Sequence, residues 1–219
     1  MSEYDLDSVA KALEKNGMRT FIASDRNAAA RIAEGLIPKG ASVASGGSVT
    51  LKECGIIDML RSGDYRFFET RSDMPPREIA ANYRAAYNAD YYFSGSNAVT
   101  KDGVLYNVDG RGNRVSAIAF GPGNVVVVVG ANKIVEDIDE AVKRVKSVAA
   151  PLNGKRLGIG LYCTSEGECV SLRRGGGTAE RMHDGCASEN RICVHYLVSA
   201  KQRVYGRITV ILVDESLGF

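Results

Sequence analysis

Glycines and hydroxyl side chains occur together directly after one apolar segment, in the stretch ASVASGGSVTL. Glycines let the backbone turn its N–H groups toward one point, and a helix start adds partial positive charge, so such a loop can bind a phosphate or a carboxylate. The stretch lacks the lysine of a nucleotide P-loop and the third glycine of a dinucleotide-binding motif. The alternative is a plain strand-to-helix turn in which Ser48 only caps the helix. The candidate ligand-binding residues are Gly46, Gly47, Ser48 and Thr50.

Two further loops follow apolar segments and carry amide, hydroxyl and basic side chains. They are SGSNAVTKDGVLYNVDGRGNR, residues 94–114, and GANKIV, residues 130–135. Because ligands of open α/β sheets bind at the carboxyl ends of strands, we expect the three loops to share one pocket. The amides and hydroxyls would orient a polar ligand, and the basic groups would supply charge for an anion. The candidates on these two loops are Asn97, Thr100, Asp109, Asn113, Arg114, Asn132 and Lys133.

Ordinary turn chemistry is the alternative for several of these residues. Asp102-Gly103 and Asp109-Gly110 are typical hairpin dipeptides. Asn97 or Asn132 can close a turn through its own backbone, and Arg114 can be a solvated surface charge. Asp109 fits a turn better than a general acid or base, because the sequence identifies no partner for it.

Four of the five cysteines lie in the last third of the sequence, separated by 5, 16 and 6 residues. Thiolates bind zinc and iron–sulfur clusters, and four of them complete a tetrahedral site. The spacing is neither that of a zinc ribbon nor that of a ferredoxin, so a redox pair or buried small residues are alternatives. With two histidines in the chain, both near these cysteines, a histidine-based hydrolase is not expected. The candidate metal ligands are Cys163, Cys169, Cys186 and Cys193, whereas Cys54 is expected in the core.

Helical and strand-like segments alternate over the first 150 residues, which predicts an α/β fold with a mostly parallel sheet and helices on both faces. Asp5 and Asp25 are predicted N-caps of the first two helices. The uniformly apolar NVVVVVG, residues 124–130, fits a strand that is covered on both faces.

Beyond Pro151 the pattern changes, and RLGIGLYC, CVHYLVSA and RITVILV are strand-like without helices between them. This favours a partly antiparallel C-terminal extension of the same domain. We therefore expect a single domain over residues 1–219, with an N-terminal helical lead-in at 1–40 and a cysteine-bearing extension at 151–219.

Composition limits the class of protein. The 28 basic and 26 acidic residues nearly cancel, so the overall charge does not favour nucleic acid or an anionic membrane as a partner. The first residues have no apolar core of a signal peptide, and no apolar run approaches the roughly 20 residues of a membrane span. A cytoplasmic protein with reduced or metal-bound cysteines is expected.

Six motifs, taken in order, resemble the lactate-utilization family of LUD-domain proteins, whose members are similar to the C component of bacterial lactate-utilization operons. They are GGSVTL, NAVTKDGVLYNVDGRGNR, FGPGNVVVVVGANKIV, AAPLN, RIC and VILVDESLGF. The resemblance implies a fold like that of glucosamine-6-phosphate deaminase, ribose-5-phosphate isomerase and the CoA transferases. In those proteins a glycine-rich loop holds a phosphate or part of CoA, and Gly46, Gly47 and Ser48 correspond to it. Their catalytic acids have no assigned counterpart here, so their chemistry is not carried over.

The resemblance also implies a role in oxidising L-lactate to pyruvate, with an iron–sulfur, flavin-linked partner and a cysteine-rich, reductase-like partner. Many family members separate the second and third cysteines by two residues, whereas sixteen separate Cys169 from Cys186. The fourteen extra positions, including LRRGGGTAERMHDG, either loop out and leave the cysteines adjacent or mark a metal site that was lost or rebuilt.

Three hypotheses follow. The first is a lactate-utilization protein that binds a small anionic ligand or cofactor at the three loops and works with iron–sulfur redox partners. The second is a non-catalytic accessory or assembly subunit, and the third is a protein with zinc or an iron–sulfur cluster at the four cysteines. The sequence assigns no catalytic residue, and a homodimer is the commonest oligomeric expectation.

Overall fold

The computed structural model describes residues 4–219, so residues 1–3, the beginning of the predicted lead-in, lie outside the described part. The strands are β1 (Arg19–Ala23), β2 (Ser42–Ser45), β3 (Arg66–Phe68), β4 (Tyr91–Gly95), β5 (Ala98–Thr100), β6 (Leu105–Asp109), β7 (Asn124–Gly130), β8 (Ile134–Val135), β9 (His195–Ser199) and β10 (Ile208–Val213).

The α-helices are α1 (Leu6–Lys15), α2 (Arg26–Gly35), α3 (Val49–Glu53), α4 (Ile56–Leu60), α5 (Pro76–Ala85), α6 (Asn113–Phe120), α7 (Ile138–Arg144), α8 (Ala150–Arg156) and α9 (Tyr162–Glu166). A π-helical segment, Val145–Ala149, joins α7 to α8. Short 3-10 turns occupy Ala86–Asn88, Ala131–Lys133 and Val170–Arg174.

The main sheet has six strands in the order β1-β10-β7-β4-β2-β3, and all of its strand pairs are parallel. Val127 at the middle of β7 pairs with Val210 of β10 and with Ser94 of β4. The predicted α/β fold with a parallel sheet is therefore confirmed.

Valines of β7 alternate between two cores, one on each face of the sheet. Val125, Val127 and Val129 pack with α1 and α6, and Val126 and Val128 pack with α2, α3 and α4. Each fully buried side chain of this size contributes roughly 1.5–3 kcal/mol relative to an exposed one. Because both faces are covered, every position of the strand except its first is buried, as the uniformly apolar sequence predicts.

The two predicted N-caps are confirmed. The Asp5 carboxylate accepts the N–H of Asp7 at 3.2 Å, and the Asp25 carboxylate accepts the N–H of Ala28 at 2.7 Å. Both side chains satisfy N–H groups that a helix start leaves unpaired, which explains where α1 and α2 begin.

A second sheet of four strands has the order β8-β5-β6-β9 and mixes parallel and antiparallel pairs. The dipeptide Asp102-Gly103 turns the chain between β5 and β6, with Gly103 at φ 83°. The C-terminal strand β9 is antiparallel to β6. The predicted antiparallel character after Pro151 therefore belongs to this sheet, whereas β10 returns to the main sheet, between β1 and β7.

Two local predictions are wrong. RLGIGLYC is not a strand, because its residues end α8, turn through Gly158 at φ 65° and begin α9. Asp109-Gly110 does not turn a hairpin, because β6 is followed by α6 and the Asp109 carboxylate accepts N–H groups of that helix. Short apolar runs and Asp-Gly pairs fit both arrangements, and tertiary contacts decide between them.

Candidate functional site

Three loops meet at the carboxyl edge of the parallel sheet and line one cleft. They follow β2, β4 and β7, which are neighbours in the sheet. The cleft has a volume of about 830 Å³, which lies within the usual range of small-molecule sites. Its walls include Gly47 and Ser48 of the first loop, Ser96 and Asn97 of the second, and Lys133 of the third.

The glycine-rich loop is held in place by close packing at Gly46. Its N–H donates to the carbonyl of Phe93 at 2.9 Å. A Cβ at Gly46 would lie 2.9 Å from Tyr92 Oη and 3.1 Å from Arg114 Cδ, so a side chain does not fit without displacing them. The Ser48 hydroxyl accepts the N–H of Leu51 at 3.3 Å. Ser48 therefore caps α3 and also lines the cleft.

Asp109 and Arg114 form a buried ion pair on the wall of the cleft. The guanidinium Nη2 of Arg114 lies 2.9 Å from the Asp109 carboxylate, and both side chains are about nine-tenths buried. The same carboxylate accepts the N–H groups of Arg114 at 2.8 Å and Val115 at 2.9 Å. Asp109 therefore anchors the start of α6 and orients Arg114, and Arg114 is not a solvated surface charge.

Asn97 is tied to the same network. Its Oδ1 accepts Arg114 Nη2 at 2.8 Å and the N–H of Val108 at 2.8 Å. Arg114 Nη1 also donates to the carbonyl of Gly95 at 3.2 Å and to Asn107 Oδ1. The loop after β4 and the start of α6 are thus joined through one guanidinium, which gives this wall of the cleft a fixed shape.

Lys133 lines the cleft and is 3% exposed. Its Nζ donates to Thr50 Oγ1 at 2.8 Å, and Thr50 in turn donates to the carbonyl of Leu217 at 3.3 Å. Burial, followed by the positive charges of Arg144 and Arg114, lowers the pKa of Lys133 to about 7. The amine is therefore close to its midpoint of protonation at neutral pH.

Arg144 is a second, half-buried cation near Lys133, contributed by α7. Its Nε donates to the carbonyl of Asn132 at 3.1 Å and its Nη1 to the carbonyl of Asn97 at 2.6 Å. Burial lowers the pKa of Arg144 to about 10, so the guanidinium stays charged at neutral pH. It fixes the second and third loops to each other and adds positive potential near Lys133.

The structure brings most of the predicted residues to the cleft, but not all of them. Asn113 lines it, and Thr50 lies just behind it through its contact with Lys133. Thr100 lies in β5 of the second sheet, where its hydroxyl bonds to Asp102 and accepts the N–H of Val104 at 3.0 Å. Thr100 therefore closes a turn and does not border the cleft.

Asn132 holds the C-terminal segment rather than facing the cleft. Its Oδ1 accepts the N–H of Leu217 at 3.0 Å, and its Nδ2 donates to the carbonyl of Gly218 at 3.2 Å. Both contacts keep that segment against the loop after β7, next to Lys133. Asn132 is thus a positioning residue for the third loop.

The charged residues on the cleft wall are mostly basic. The one acidic side chain among them is Asp109, which is already paired, and the basic side chains are Arg71, Arg111, Arg114, Lys133 and Arg156. Arg71 forms exposed ion pairs with Glu69 and Asp73, which offset part of its charge. The remaining excess of positive charge makes the cleft complementary to an anion.

The four C-terminal cysteines border a second, smaller cavity of about 20 Å³. All are free thiols. Burial raises the pKa of Cys193 to about 12, and the neighbouring Cys169 and Cys163 thiols act in the same direction. Over residues 4–219, no three His, Cys, Asp or Glu side chains already stand in an arrangement that holds a metal ion. Cys54 lies apart in the core, as predicted.

Residues 6–213 match the sequence model of the LUD domain family. The chain belongs to the LUD domain family. LUD domains are associated with lactate utilization. No curated protein matches the sequence significantly.

Among solved structures, this LUD domain is similar to a DUF162 family protein from Deinococcus radiodurans, with 15% identity, a TM-score of 0.46 and 95% of each chain covered. It is also similar to eIF2B beta from Chaetomium thermophilum, with 18% identity and a TM-score of 0.36, over 52% of this chain and 40% of that one. A tetrameric eIF2B-beta2-delta2 complex from the same organism gives 19% identity and a TM-score of 0.37, over 56% and 47%.

Several basic residues that line the LUD domain cleft or lie next to it are missed by sequence reasoning. From the sequence, Arg144 is expected only to interact favourably with the dipole at the C-terminal end of α7. Its spacing gives no sign that its side chain contacts Asn97. Arg71, Arg111 and Arg156 come from loops and from α8, far apart in the chain.

No helix in the described residues is both long and apolar enough to cross a membrane.

Proposed function

We propose that this LUD domain binds a small anionic metabolite or cofactor in the cleft and acts with iron–sulfur redox partners in the oxidation of L-lactate to pyruvate. The buried amine of Lys133 carries the binding proposal. It lies on the cleft, bonds to the neutral hydroxyl of Thr50, and has no carboxylate within ion-pair distance in residues 4–219. The more distant Glu53 favours its charge, but less than burial and the two arginines oppose it. A buried ammonium without a close counter-ion is costly, and an anion entering the cleft would supply one.

The neighbouring groups favour the same ligand class. Arg144 and Arg114 both act on Lys133 electrostatically, and Arg114 and Lys133 both line the cleft. A carboxylate or phosphate placed there would accept charge-assisted hydrogen bonds, which are about twice as strong as neutral ones. Ser48, Ser96 and Asn97 add polar side chains on the surrounding wall.

The size of the cleft favours a ligand with more than one part. About 830 Å³ exceeds the space that a three-carbon hydroxy acid fills. Ile79, Tyr83 and Leu157 also line the cleft. We infer that the anionic group binds near Lys133, and that the body of the ligand extends along these less polar residues.

Calorimetric titration tests the proposal. The purified protein is titrated with L-lactate, pyruvate, inorganic phosphate and a CoA ester at pH 6.5, where most of the Lys133 amine is protonated. We expect at least one of them to bind, and Lys133→Met to weaken that binding by about 10- to 100-fold, because one charge-assisted hydrogen bond contributes roughly 1.5–3 kcal/mol. Lys11→Met, an exposed change on α1, is the matched control and should bind as the wild type does.

Two results would contradict the proposal. One is that none of the four anions binds the folded protein. The other is that Lys133→Met binds the anion as tightly as Lys11→Met. A growth assay on lactate, in cells that depend on this protein, then tests the pathway role separately from binding.

A further inference from the structure

A second site is indicated by the small cavity among the C-terminal cysteines, away from Lys133. Cys163, Cys169, Cys186 and Cys193 all border it, although sixteen residues separate the middle two. The intervening segment thus loops out and leaves the four thiols around one space. A volume of about 20 Å³ is close to that of one water molecule, for which about 10–15 Å³ is needed. The space suits a single ion.

Two cationic side chains border the same cavity. Lys146, which is 4% exposed, comes from the π-helical segment, and Arg191 comes from the turn before Cys193. The Lys146 ammonium donates to the carbonyls of Gly176 and Arg181, and its own carbonyl accepts the N–H of Cys169 at 2.8 Å. Positive charge is therefore fixed beside the thiols by contacts with the looped segment.

Arg191 has a buried donor that no group in residues 4–219 accepts. Its Nη2 donates to the carbonyl of His183 at 2.6 Å and to Tyr196 Oη at 2.8 Å, while its Nε is buried without a partner. Buried donors are almost always paired, so an unpaired one next to a cavity indicates a missing acceptor. A metal-bound thiolate sulfur, which carries negative charge, would be such an acceptor.

We propose that Cys163, Cys169, Cys186 and Cys193 bind one thiophilic divalent cation, of the class of zinc, with Lys146 and Arg191 as its counter-charges. On binding, each thiol releases its proton to solvent and its sulfur donates an electron pair to the ion, so no oxidant or reductant is needed. Four thiolates around a divalent ion leave two negative charges. The buried Lys146 and the partly buried Arg191 offset part of this charge, whereas Asp184, which also borders the cavity, is paired with Arg181 and His183.

Binding requires the sulfurs to move inward, because in the described residues they do not yet stand in a metal-holding arrangement. The loops that carry Cys169 and Cys186 would close on the ion, which couples binding to a rearrangement of the segment between them. Val145, Ala150, Ile192 and Cys193 border both cavities, so the closed site would also fix one wall of the cleft.

Cobalt titration under anaerobic, reducing conditions tests the site with a spectroscopic readout. We expect one Co²⁺ per chain, with the intense near-ultraviolet absorption of thiolate-to-cobalt charge transfer, and competition by one Zn²⁺. Cys186→Ser with Cys193→Ser should abolish this absorption. Cys54→Ser removes a buried cysteine outside the cavity and should leave both the absorption and the stoichiometry unchanged.

Arg191→Met tests the positioning role of the unpaired donor. Loss of a hydrogen bond to a metal ligand should weaken Co²⁺ binding by about 10- to 100-fold at unchanged stoichiometry. A role for Arg191 in packing alone would lower the melting temperature of the metal-free protein and leave the affinity unchanged.

Three outcomes would overturn the proposal. The wild-type protein, folded by circular dichroism, could fail to develop thiolate absorption with either metal. Cys54→Ser could lose the absorption as fully as the double variant does. Natively purified protein could contain iron with equimolar sulfide, which would replace the single ion by a cluster. The cobalt assay on the wild type does not depend on the folding of any variant or on ligand binding in the cleft.

Discussion

Lys133 and Thr50 form a buried hydrogen bond of 2.8 Å that joins the loop after β7 to the start of α3. The Thr50 hydroxyl also donates a hydrogen bond to the carbonyl of Leu217, so three separate segments meet at this hydroxyl. Because Thr50 accepts from one side and donates to the other, its hydroxyl satisfies two buried polar groups at once.

Replacing Thr50 by valine should therefore destabilise the protein. Thr50→Val keeps the shape but removes the acceptor of Lys133 and the donor to Leu217. Leaving a buried polar group unpaired costs roughly 1–3 kcal/mol, so urea denaturation should show a loss of about that size in the free energy of unfolding. Thr50→Ser retains the hydroxyl and should lose much less. Equal losses in the two variants would show that packing by the methyl group matters more than the hydrogen bond.

The lowered pKa of Lys133, about 7, predicts how anion binding depends on pH. The charged amine favours an anion, so affinity for pyruvate, a monoanion over this range, should be constant at low pH. It should fall as pH rises through about 7, at up to roughly tenfold per pH unit. Calorimetry from pH 5.5 to 9 measures this, and in Lys133→Met the decline should disappear. A decline that persists in that variant would assign the titration to another group.

Stability of the ligand-free protein should change in the opposite direction. The pKa of Lys133 is lower in the folded chain than its ordinary value of 10.5, so the unfolded chain binds more protons between about pH 7 and 10.5. Stability from this group therefore rises with pH across that window, and the full penalty of the buried charge is present below pH 7. Urea denaturation of the wild type and of Lys133→Met at pH 6.5 and 9 isolates the contribution of Lys133 to stability. A difference in free energy of unfolding between the two proteins that does not narrow as pH rises would contradict the prediction.

Gly46 and Gly47 provide a matched pair for the shape of the cleft. Gly46→Ala places a methyl group 2.9 Å from Tyr92 Oη and 3.1 Å from Arg114 Cδ, whereas the nearest atom at Gly47 is Arg156 Nη2 at 4.0 Å. Overpacking of a filled site typically costs about 1–3 kcal/mol. We expect Gly46→Ala to lose stability by that amount and to weaken anion binding by displacing Arg114, and Gly47→Ala to change neither. Thermal melts and calorimetry measure the two effects, and similar behaviour of both variants would refute the argument.

The ion pair of Asp109 and Arg114 should be far more important for stability than the exposed pairs. Asp109→Asn leaves a buried guanidinium without its carboxylate and weakens the start of α6, which should cost about 3–5 kcal/mol in urea denaturation. Asp58→Asn breaks an exposed pair with Arg61 and should cost about 0–1 kcal/mol. A small loss for Asp109→Asn would mean that Asn97 and Asn107 alone hold Arg114.

The sequence predicted the meeting of the three loops because each follows an apolar strand, and parallel strands end at the same edge of a sheet. The two-sided burial of β7 was likewise readable from its valines. Local chemistry was enough for the Asp102-Gly103 turn and for the N-caps Asp5 and Asp25.

What the sequence could not supply depends on strand order and on long-range contacts. Thr100 has the right type and follows the right strand, but it lies in β5 of the second sheet, away from the cleft. Arg144 reaches Asn97 across 47 positions of the chain, a contact for which helical spacing gives no signal. RITVILV predicted a strand, yet its place between β1 and β7 depends on which edges the earlier strands leave open.

The π-helical segment Val145–Ala149 sets the rotational phase of the helix that follows it. Lys146 of this segment faces the cysteine cavity, Ala149 faces the cleft, and Val145 borders both. Removing one residue here to restore regular α-helix would rotate α8 by about 100° relative to α7. Asn153 and Arg156 would then turn away from the cleft. The single π-helical turn therefore allows one continuous helix to contribute residues to both cavities.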